Sequence, residues 1–300
     1  MSSFAYGALG LNITSDLALP ELSPGSSGAE DVRVRCCAVA DAIEGAHWSG
    51  PAMDATSDRV LLRIPSVGRY LVVEGREIHV DALPGVDEAA VRLYLLGTAL
   101  GALLHQRGLL VLHGSAVETA GGTVLFVGPS GHGKSTLAAL FLHRGYRVLA
   151  DDLAAVDTEG ERLKLLPGLP HMSLTPDSLA RLGIQTEAIL QVQPGSQKHR
   201  VSLGTGPAGA PTPVRAVYVL SPGEDCGLRL TPLTGLQAAR ALTDNTYRLG
   251  LLKAMGLSGA RHFRQVCAVA RRVPIARLTR PSGRWEPEAL VDLLERDLSE

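Results

Sequence analysis

The chain has 300 residues, of which 45% are hydrophobic and 20% are charged. This length and composition indicate a globular protein with a substantial core and exclude a largely disordered chain. Lys and Arg together number 29 and Asp and Glu number 30, so the formal net charge is -1. That balance gives no indication of a nucleic-acid partner or of binding to a charged lipid surface.

The sequence also predicts a cytoplasmic protein with reduced thiols. Its N-terminus lacks the basic start and apolar run of a signal peptide. The most apolar segment, "LYLLGTALGALL", has twelve residues, well short of the roughly 20 needed to cross a bilayer. No CxxC pair and no metal-ligand spacing occurs among the four cysteines, which are Cys36, Cys37, Cys226 and Cys267.

Residues 1–107 are predicted to form a β-rich domain that ends in a helix. Short runs rich in Val, Leu and Ile predict strands, and the last three should form an antiparallel meander: "RVRCCAV", "RVLLRIP", "RYLVVEG" and "EIHVDAL". The segment Ser23 to Ala29 reads as a turn-rich loop. From Asp87 to Arg107 the pattern becomes helical, with Gly108 placed to end the helix. The apolar positions with helical spacing are Val91, Leu95, Leu96, Ala99, Leu103 and Leu104.

Residues 108–300 are predicted to form an α/β domain. The strands "LLVLHGSAVE" and "GTVLFVG" are joined by the turn "TAGG", a helix follows and ends at Gly145, and "YRVLADDLAAVD" is the next strand. A strand, a Gly-rich loop, a helix and a strand make a βαβ unit. Further along, the pattern predicts a buried strand at 214–220, a helix of about twenty residues from Thr234, a strand "VPIARLTRP" and a helix from Pro287 to Leu298.

A phosphate-binding motif lies between the second of these strands and the helix. Residues 128–135, "GPSGHGKS", match G-x-x-x-x-G-K-[ST] in full. Glycines let backbone N–H groups converge on phosphate oxygens at the positive end of a helix. Lys134 should reach the β and γ phosphates of ATP, and the Ser135 hydroxyl should ligate Mg²⁺. The residues predicted to bind the nucleotide are Gly128, Pro129, Ser130, Gly131, His132, Gly133, Lys134, Ser135 and Thr136.

Two adjacent aspartates lie 17 and 18 residues after Lys134, at the end of the predicted strand. Strand ends in parallel sheets open onto the ligand crevice, so Asp151 and Asp152 should lie close to the loop. One carboxylate can hold Mg²⁺. The other either accepts the proton of an attacking hydroxyl, as in a kinase, or caps a turn, and the residue types alone do not decide between these roles.

Other polar residues allow a functional or a structural reading. His113, with Gly114 beside it, is predicted to end the strand before the loop and is either an active-site group or a structural residue. His132 occupies a variable position of the motif and should be exposed and non-catalytic. In "SQKHRVSL", Lys198, His199 and Arg200 either cover the triphosphate or are solvent-exposed surface residues. "TDNTYR" and the pair Arg271 and Arg272 are expected to be structural or exposed.

Together, these features resemble the catalytic domain of HPr kinase/phosphorylase, whose fold is related to ATP-dependent phosphoenolpyruvate carboxykinases. The matching features are a His-Gly on the strand before the loop, a GxSGxGKS loop, and a helix followed by "RGYRVLADD". The resemblance implies that Asp151 is the base for a substrate serine, that Asp152 and Ser135 hold Mg²⁺, and that His113 belongs to the active site. It also implies assembly of identical subunits.

Across most of its length the chain resembles a divergent branch of that family found with lasso-peptide biosynthesis genes. The strings shared with that branch are "YGALGLNITSDLALPEL", "SVGRYLVVEG", "LLGTALGALLHQRGLLVLHGSAVE" and "RAVYVLSPG". This likeness implies a kinase acting on the C-terminal serine of a precursor peptide. The "EIRG"-type signature of HPr kinases is replaced by "LPGLPHMSLTPDSL", which argues against HPr as the acceptor and against the reverse phosphorylase reaction.

Two other functions remain compatible with the residues. The first is a nucleotide-dependent sensor or assembly module that transfers no phosphoryl group. The second is a kinase for HPr or for a small hydroxylated metabolite. A peptide kinase should lose rate as its acceptor is shortened, which distinguishes it from a metabolite kinase.

Overall fold

The computed structural model describes residues 3–25, 28–184, 190–191, 198–203, 209–223, 227–281 and 286–299. The described residues form a mixed α/β structure with an N-terminal β-rich sheet and a second, mixed sheet. Within those ranges, no helix combines the length and the apolarity needed to cross a membrane. Cys36, Cys37 and Cys267 are free thiols, while Cys226 lies outside the described residues.

The N-terminal sheet contains nine of the described strands, in the order β3-β1-β2-β4-β9-β8-β7-β6-β5. Their bounds are β1 (Phe4–Ala8), β2 (Leu11–Ser15), β3 (Ser23–Pro24), β4 (Val32–Cys36), β5 (Trp48–Gly50), β6 (Met53–Ala55), β7 (Arg59–Ile64), β8 (Gly68–Val73) and β9 (Glu77–Ala82). The predicted antiparallel meander is confirmed as β7, β8 and β9. Of the predicted loop, Ser26 and Ser27 lie outside the described residues.

The helical segment after this sheet confirms the sequence pattern, although it contains a wider turn. Helix α1 (Glu88–Tyr94) passes into a π-helical turn (Leu95–Ala99) and then into α2 (Leu100–Gln106). Gly108 follows with a φ of 79°, the left-handed geometry expected at a helix end. All six apolar positions predicted from the helical spacing are buried.

The second part of the chain contains the remaining elements. They are β10 (Leu110–Thr119), β11 (Gly122–Val127), α3 (Lys134–His143), β12 (Arg147–Ala150), β13 (Leu153–Asp157), β14 (Lys164–Leu165), β15 (His171–Leu174), α4 (Pro176–Leu182), β16 (Leu190–Gln191), β17 (His199–Ser202), β18 (Thr212–Gly223), β19 (Arg229–Pro232), α5 (Gly235–Asp244), α6 (Leu249–Ala254), α7 (Ala260–Arg272), β20 (Ile275–Pro281) and α8 (Pro287–Ser299).

The predicted βαβ unit is present as β11, α3 and β12, but β10 lies between its two strands in the sheet. Strands β11 and β12 each pair antiparallel with β10, so they run parallel to each other on either side of it. Strand β18 pairs parallel with β11, and β20 pairs parallel with β18. The carboxyl ends of β11, β12, β18 and β20 therefore lie at one edge of the sheet, which is where α/β folds bind ligands.

Two details of the predicted C-terminal region are corrected by the structure. The twenty-residue helix from Thr234 is in fact two helices, α5 and α6, because Arg248 has a φ of 49° and Thr246 bridges to Leu112 on β10. Helix α7 was not among the predicted elements. The strand at 214–220, the strand "VPIARLTRP" and the final helix are confirmed as β18, β20 and α8.

One hydrophobic cluster joins the N-terminal sheet to the second part of the chain. It contains residues of the first sheet and of α1 and α2, such as Val72 and Leu103, together with Val111, Leu153 and Tyr247. The helical segment therefore packs against the N-terminal sheet and against the second part of the chain. The division into domains 1–107 and 108–300 stays a prediction.

Candidate active site

The phosphate-binding loop connects β11 to α3. Gly131 and Gly133 have φ values of 84° and 81°, in the left-handed region that favours glycine. Gly133 precedes α3, and its carbonyl accepts the first helical hydrogen bond from Leu137 N at 2.8 Å. The amide groups at the start of α3 therefore point toward the loop, as an anion site at a helix N-terminus requires.

Lys134 is buried, with 6% of its surface exposed. Its Nζ donates hydrogen bonds to two loop carbonyls, Gly128 O at 2.8 Å and Pro129 O at 3.0 Å. Burial lowers the pKa of Lys134 to about 8, although the carboxylates of Asp152 and Asp151 act in the opposite direction. An anion bound in the loop would favour the protonated amine, because an opposite charge stabilises the charged form.

The register of three strands sets the position of the aspartate pair. Ala150 on β12 pairs with Ala116 on β10, and Leu153 on β13 pairs with His113 on the same strand. Asp151 and Asp152 occupy the break between β12 and β13, opposite Ser115 and Gly114. His113 is thus the fourth residue of a ten-residue strand, not its end as predicted.

Gly114 is needed because of a neighbouring strand. A Cβ at this position would lie 2.8 Å from Phe126 O on β11, a separation that real Cβ atoms do not show. The absence of a side chain at Gly114 therefore allows a close approach of protein backbone, which keeps β10 and β11 in register beside the loop.

Asp151 points into the protein. Its Oδ1 accepts a hydrogen bond from Ser115 Oγ at 2.6 Å, and its Oδ2 accepts one from the backbone N of Ser173 at 2.8 Å. The side chain of Ser135 in the loop also favours the charged form of Asp151, less strongly than Ser115 and Ser173 do. Burial raises the pKa of Asp151, and these hydrogen bonds only partly counteract the shift.

Asp152 points outward beside His113. Its φ of 69° lies in the left-handed region, and 52% of its side chain is exposed. His113 Nδ1 lies 3.1 Å from Asp152 Oδ1. Desolvation acts to raise the pKa of Asp152, but the hydrogen bond and charge of His113, with Lys198 and Lys134, hold it below its usual value. The adjacent carboxylates therefore face different environments.

A cavity of about 310 Å³ opens beside the loop. Lys134, Ser135 and Thr136 line one side, and Thr136 Oγ1 lies 2.9 Å from Ser178 Oγ on α4. The remaining residues that line it are Gly131, Gly133, Leu137, Leu140, Ser173, Thr175, Asp177, Ser178, Arg181, Lys198, Leu220, Leu278, Arg280 and Leu290.

Sequence reasoning missed Ser115 and Ser173. Ser115 could have been found, because residues two apart on a strand share a face, so it accompanies His113. Ser173 acts through its backbone N–H, and no local pattern in "HMSL" indicates that contact.

The other predicted polar residues are distributed as follows. Lys198 lines the cavity, whereas Arg200 Nη1 lies 3.4 Å from Glu21 Oε1 in the N-terminal part. Arg272 is exposed and donates to Gly160 O at 2.9 Å. His132 is only partly exposed, with Nδ1 3.3 Å from Leu220 O. Ser196 and Gln197, which begin "SQKHRVSL", lie outside the described residues.

The backbone of "TDNTYR", residues 243–248, has a structural role. Asn245 O accepts a hydrogen bond from His113 N at 2.8 Å. Tyr247 is buried, its N donates to Val111 O at 2.9 Å, and its ring centroid lies 6.2 Å from that of His113. This segment therefore supports β10 at the position of His113.

Within the described residues, no group of three or more His, Cys, Asp or Glu side chains could hold a metal ion. Mg²⁺ commonly binds through one or two protein oxygens, water and substrate phosphates. The Ser135 hydroxyl and the Asp151 carboxylate, whose charged form Ser135 favours, are oxygen ligands that fit such a site beside the phosphate-binding loop.

Comparison with known proteins gives a partial relationship. No protein-family model matches the chain. It is 41% identical over 56 residues to an HPr kinase/phosphorylase from Chlorobium phaeobacteroides, covering 19% of this chain and 16% of that protein. It is 42% identical over 62 residues to an HPr kinase/phosphorylase from Chlorobium limicola, covering 21% and 18%. The chain therefore matches only 16% and 18% of the length of these two curated relatives.

Among solved structures, the HPr(Ser) kinase/phosphatase from Coxiella burnetii matches with a TM-score of 0.29 and 14% identity, over 63% of this chain and 92% of that one. The sequence matches show a distant relationship to HPr kinase/phosphorylases over about a fifth of the chain.

Proposed function

We propose that this protein is an ATP- and Mg²⁺-dependent kinase that phosphorylates a serine of a peptide. The observation that carries the proposal is the arrangement of Asp151 and Asp152 beside a complete phosphate-binding loop. One carboxylate is buried and hydrogen-bonded to Ser115 and to the backbone of Ser173, and the other is exposed and paired with His113. Nucleotide hydrolysis alone needs the first carboxylate, whereas transfer to a hydroxyl also uses a base.

The proposal includes a fold assignment. We place residues 108–300 in an HPr kinase-like, phosphoenolpyruvate carboxykinase-related domain, preceded by the smaller β-rich domain 1–107. The partial sequence relationship and the quoted motifs support this assignment. Cytoplasmic location is a further proposal, and so is assembly of identical subunits, which rests on the same resemblance.

ATP and Mg²⁺ are proposed to occupy the cavity at the loop. Residues 128–136 would hold the phosphates, with Lys134 as the main charge. Ser135 and one of the aspartates would hold the metal, which would neutralise charge on the β and γ phosphates when bound. The left-handed glycines and the oxygen atoms of Ser135 and Asp151 fit these ligands.

The geometry favours an exchange of the two aspartate roles that the resemblance implies. Asp151 has both oxygens hydrogen-bonded, and Ser135 further favours its charged form, which suits the residue that shares the metal with Ser135. Asp152 is exposed, so an acceptor hydroxyl can reach it. We therefore propose Asp152 as the base and Asp151 as the partner of Ser135, and the two assignments make opposite predictions.

The chain's own residues would then act as follows. The hydroxyl oxygen of the acceptor serine attacks the γ phosphorus, and Asp152 accepts the hydroxyl proton. The bond between the γ phosphorus and the β–γ bridging oxygen breaks. His113 orients the Asp152 carboxylate and keeps it ionised through their hydrogen bond. Lys134 stabilises the negative charge that remains on the nucleotide.

The acceptor is proposed to be the C-terminal serine of a lasso-peptide precursor. This part rests on the resemblance of the quoted strings to kinases found with lasso-peptide genes. Exposure of Asp152 at the sheet edge suits a peptide end, because a chain terminus can enter a crevice that a folded surface cannot.

The test is incubation of the protein with ATP, Mg²⁺ and a synthetic peptide ending in serine, with phosphoserine detected by mass spectrometry. The same peptide ending in alanine is the control. Asp152→Asn should abolish transfer while leaving nucleotide binding intact, and Asp151→Asn should weaken Mg²⁺-dependent nucleotide binding. The reverse pattern would restore the assignment implied by the resemblance.

Other outcomes would support the competing functions. ATP hydrolysis without a phosphorylated product, across peptides, HPr and small alcohols, would support the nucleotide-dependent sensor. A small-acceptor kinase would be supported if the full peptide and a dipeptide of its last two residues were phosphorylated at equal rates. Contacts to the rest of the peptide would then contribute nothing to the rate.

A further inference from the structure

Arg280 lies next to the last residue of a strand, at the same sheet edge as the phosphate-binding loop. It is the sixth residue of β20, which runs parallel to β18, and β18 runs parallel to β11. The loop begins where β11 ends. Arg280 is therefore far from the loop in sequence but belongs to the crevice formed by the carboxyl ends of these strands.

The guanidinium of Arg280 lies against the loop itself. Its Nη2 donates to His132 O at 3.2 Å, and the position of a Cβ on Gly133 would be 3.0 Å from the same nitrogen. This contact places the guanidinium next to the first residues of α3, Lys134 and Ser135.

The charge of Arg280 has no carboxylate partner among the described residues, which do not include Glu224 and Asp225. The side chain is partly buried, and burial lowers its pKa. A partly desolvated guanidinium has a strong requirement for an anion, because a neutral carbonyl only partly replaces its hydration.

The cavity shared by Arg280 and the loop is strongly cationic. Four basic side chains line it: Lys134, Arg181, Lys198 and Arg280. Asp177, the one carboxylate among the described lining residues, accepts two hydrogen bonds from Arg181 Nε, at 2.8 Å each. The described lining therefore has more basic than acidic side chains, which suits a polyanion such as a triphosphate.

We infer that Arg280 binds phosphate oxygens of the donor nucleotide, adding a second cation to Lys134. This inference rests on the nucleotide binding in the proposed function and not on transfer to an acceptor. A guanidinium can donate two parallel hydrogen bonds to a phosphate. Arg280 would exchange its bond to His132 O for bonds to the ligand, with little movement.

The test measures binding of Mg-ATP and of inorganic triphosphate, by calorimetry and without any acceptor. The variants are Arg280→Met and Arg280→Lys, and the control is Arg277→Met, an exposed arginine on the same strand. We expect Arg280→Met to weaken both ligands by about tenfold or more. Arg280→Lys should lie between wild type and Met, and Arg277→Met should bind like wild type.

Three results would overturn the inference. One is unchanged affinity of Arg280→Met, including the case in which only its thermal stability falls. Another is weakened binding of ATP with normal binding of inorganic triphosphate, which would assign Arg280 to the base or ribose. If Arg280→Met does not fold, equal affinities of Arg280→Lys and wild type would count against it. Absence of phosphoryl transfer would affect the proposed function alone.

Discussion

The hydrogen bond from Ser115 to Asp151 gives a prediction that does not depend on any ligand. Ser115→Ala removes the hydroxyl that donates to Asp151 Oδ1 at 2.6 Å, in a site where both residues are buried. A hydrogen bond to a charged group contributes about 1.5–3 kcal/mol. Because the hydroxyl stabilises the charged carboxylate, its loss should raise the pKa of Asp151 further.

The sign of the pH dependence follows from that shift. The pKa of Asp151 in the folded protein lies above the ordinary 3.8, so its ionisation as pH rises lowers stability. Ser115→Ala makes this cost larger, because the hydroxyl stabilises the charged form. The difference in unfolding free energy between wild type and variant should therefore be smallest below the two folded-state pKa values and largest above them.

Urea unfolding from about pH 5 to about pH 8 measures this difference. Ser173→Ala is the matched control, because Ser173 reaches Asp151 through its backbone N and the substitution leaves that bond in place. The reasoning is refuted if the Ser115→Ala difference is constant with pH, if it shrinks as pH rises, or if Ser173→Ala behaves in the same way.

Three further predictions concern the site and its support. His113→Ala removes the group that keeps the pKa of Asp152 low, so the acidic limb of kcat/KM should move to higher pH and the rate should fall about 100-fold. Because the pKa of Lys134 is about 8, Mg-ATP affinity should weaken by up to about tenfold per pH unit above it. Gly101→Ala would place a Cβ 2.6 Å from Tyr247 Cε1, and this overpacking should cost about 1–3 kcal/mol in thermal unfolding.

Each of these predictions has a matched comparison. His132→Ala should leave the pH profile unchanged, because His132 makes no hydrogen bond to an aspartate in the described structure. Lys134→Met should lose most nucleotide affinity and, with it, the dependence on pH above 8. Gly97→Ala has a Cβ position 3.7 Å from Tyr247 Oη, an ordinary contact, so it should be neutral or stabilising. A stable Gly101→Ala variant would contradict the packing argument.

Local patterns in the sequence were sufficient for several elements. The meander β7–β9 and the helical segment with its terminal Gly108 follow from two-residue and 3.6-residue periodicity, which a strand or helix imposes on its own residues. The split between α5 and α6 has no such signal. No Gly or Pro stands at residues 244–249, and the break comes from pairing of Thr246 with Leu112, a contact distant in sequence.

The sequence by itself determined that a phosphate-binding loop precedes a helix and that two aspartates follow the next strand, because these motifs are contiguous. Only the tertiary structure decided which aspartate is buried. The pairing of β12 and β13 with β10 turns Asp151 toward Ser115 and leaves Asp152 beside His113. The pairing of β20 with β18, and of β18 with β11, brings Arg280 to the loop. Burial, and with it each carboxylate's pKa, depends on neighbours that long-range strand register supplies.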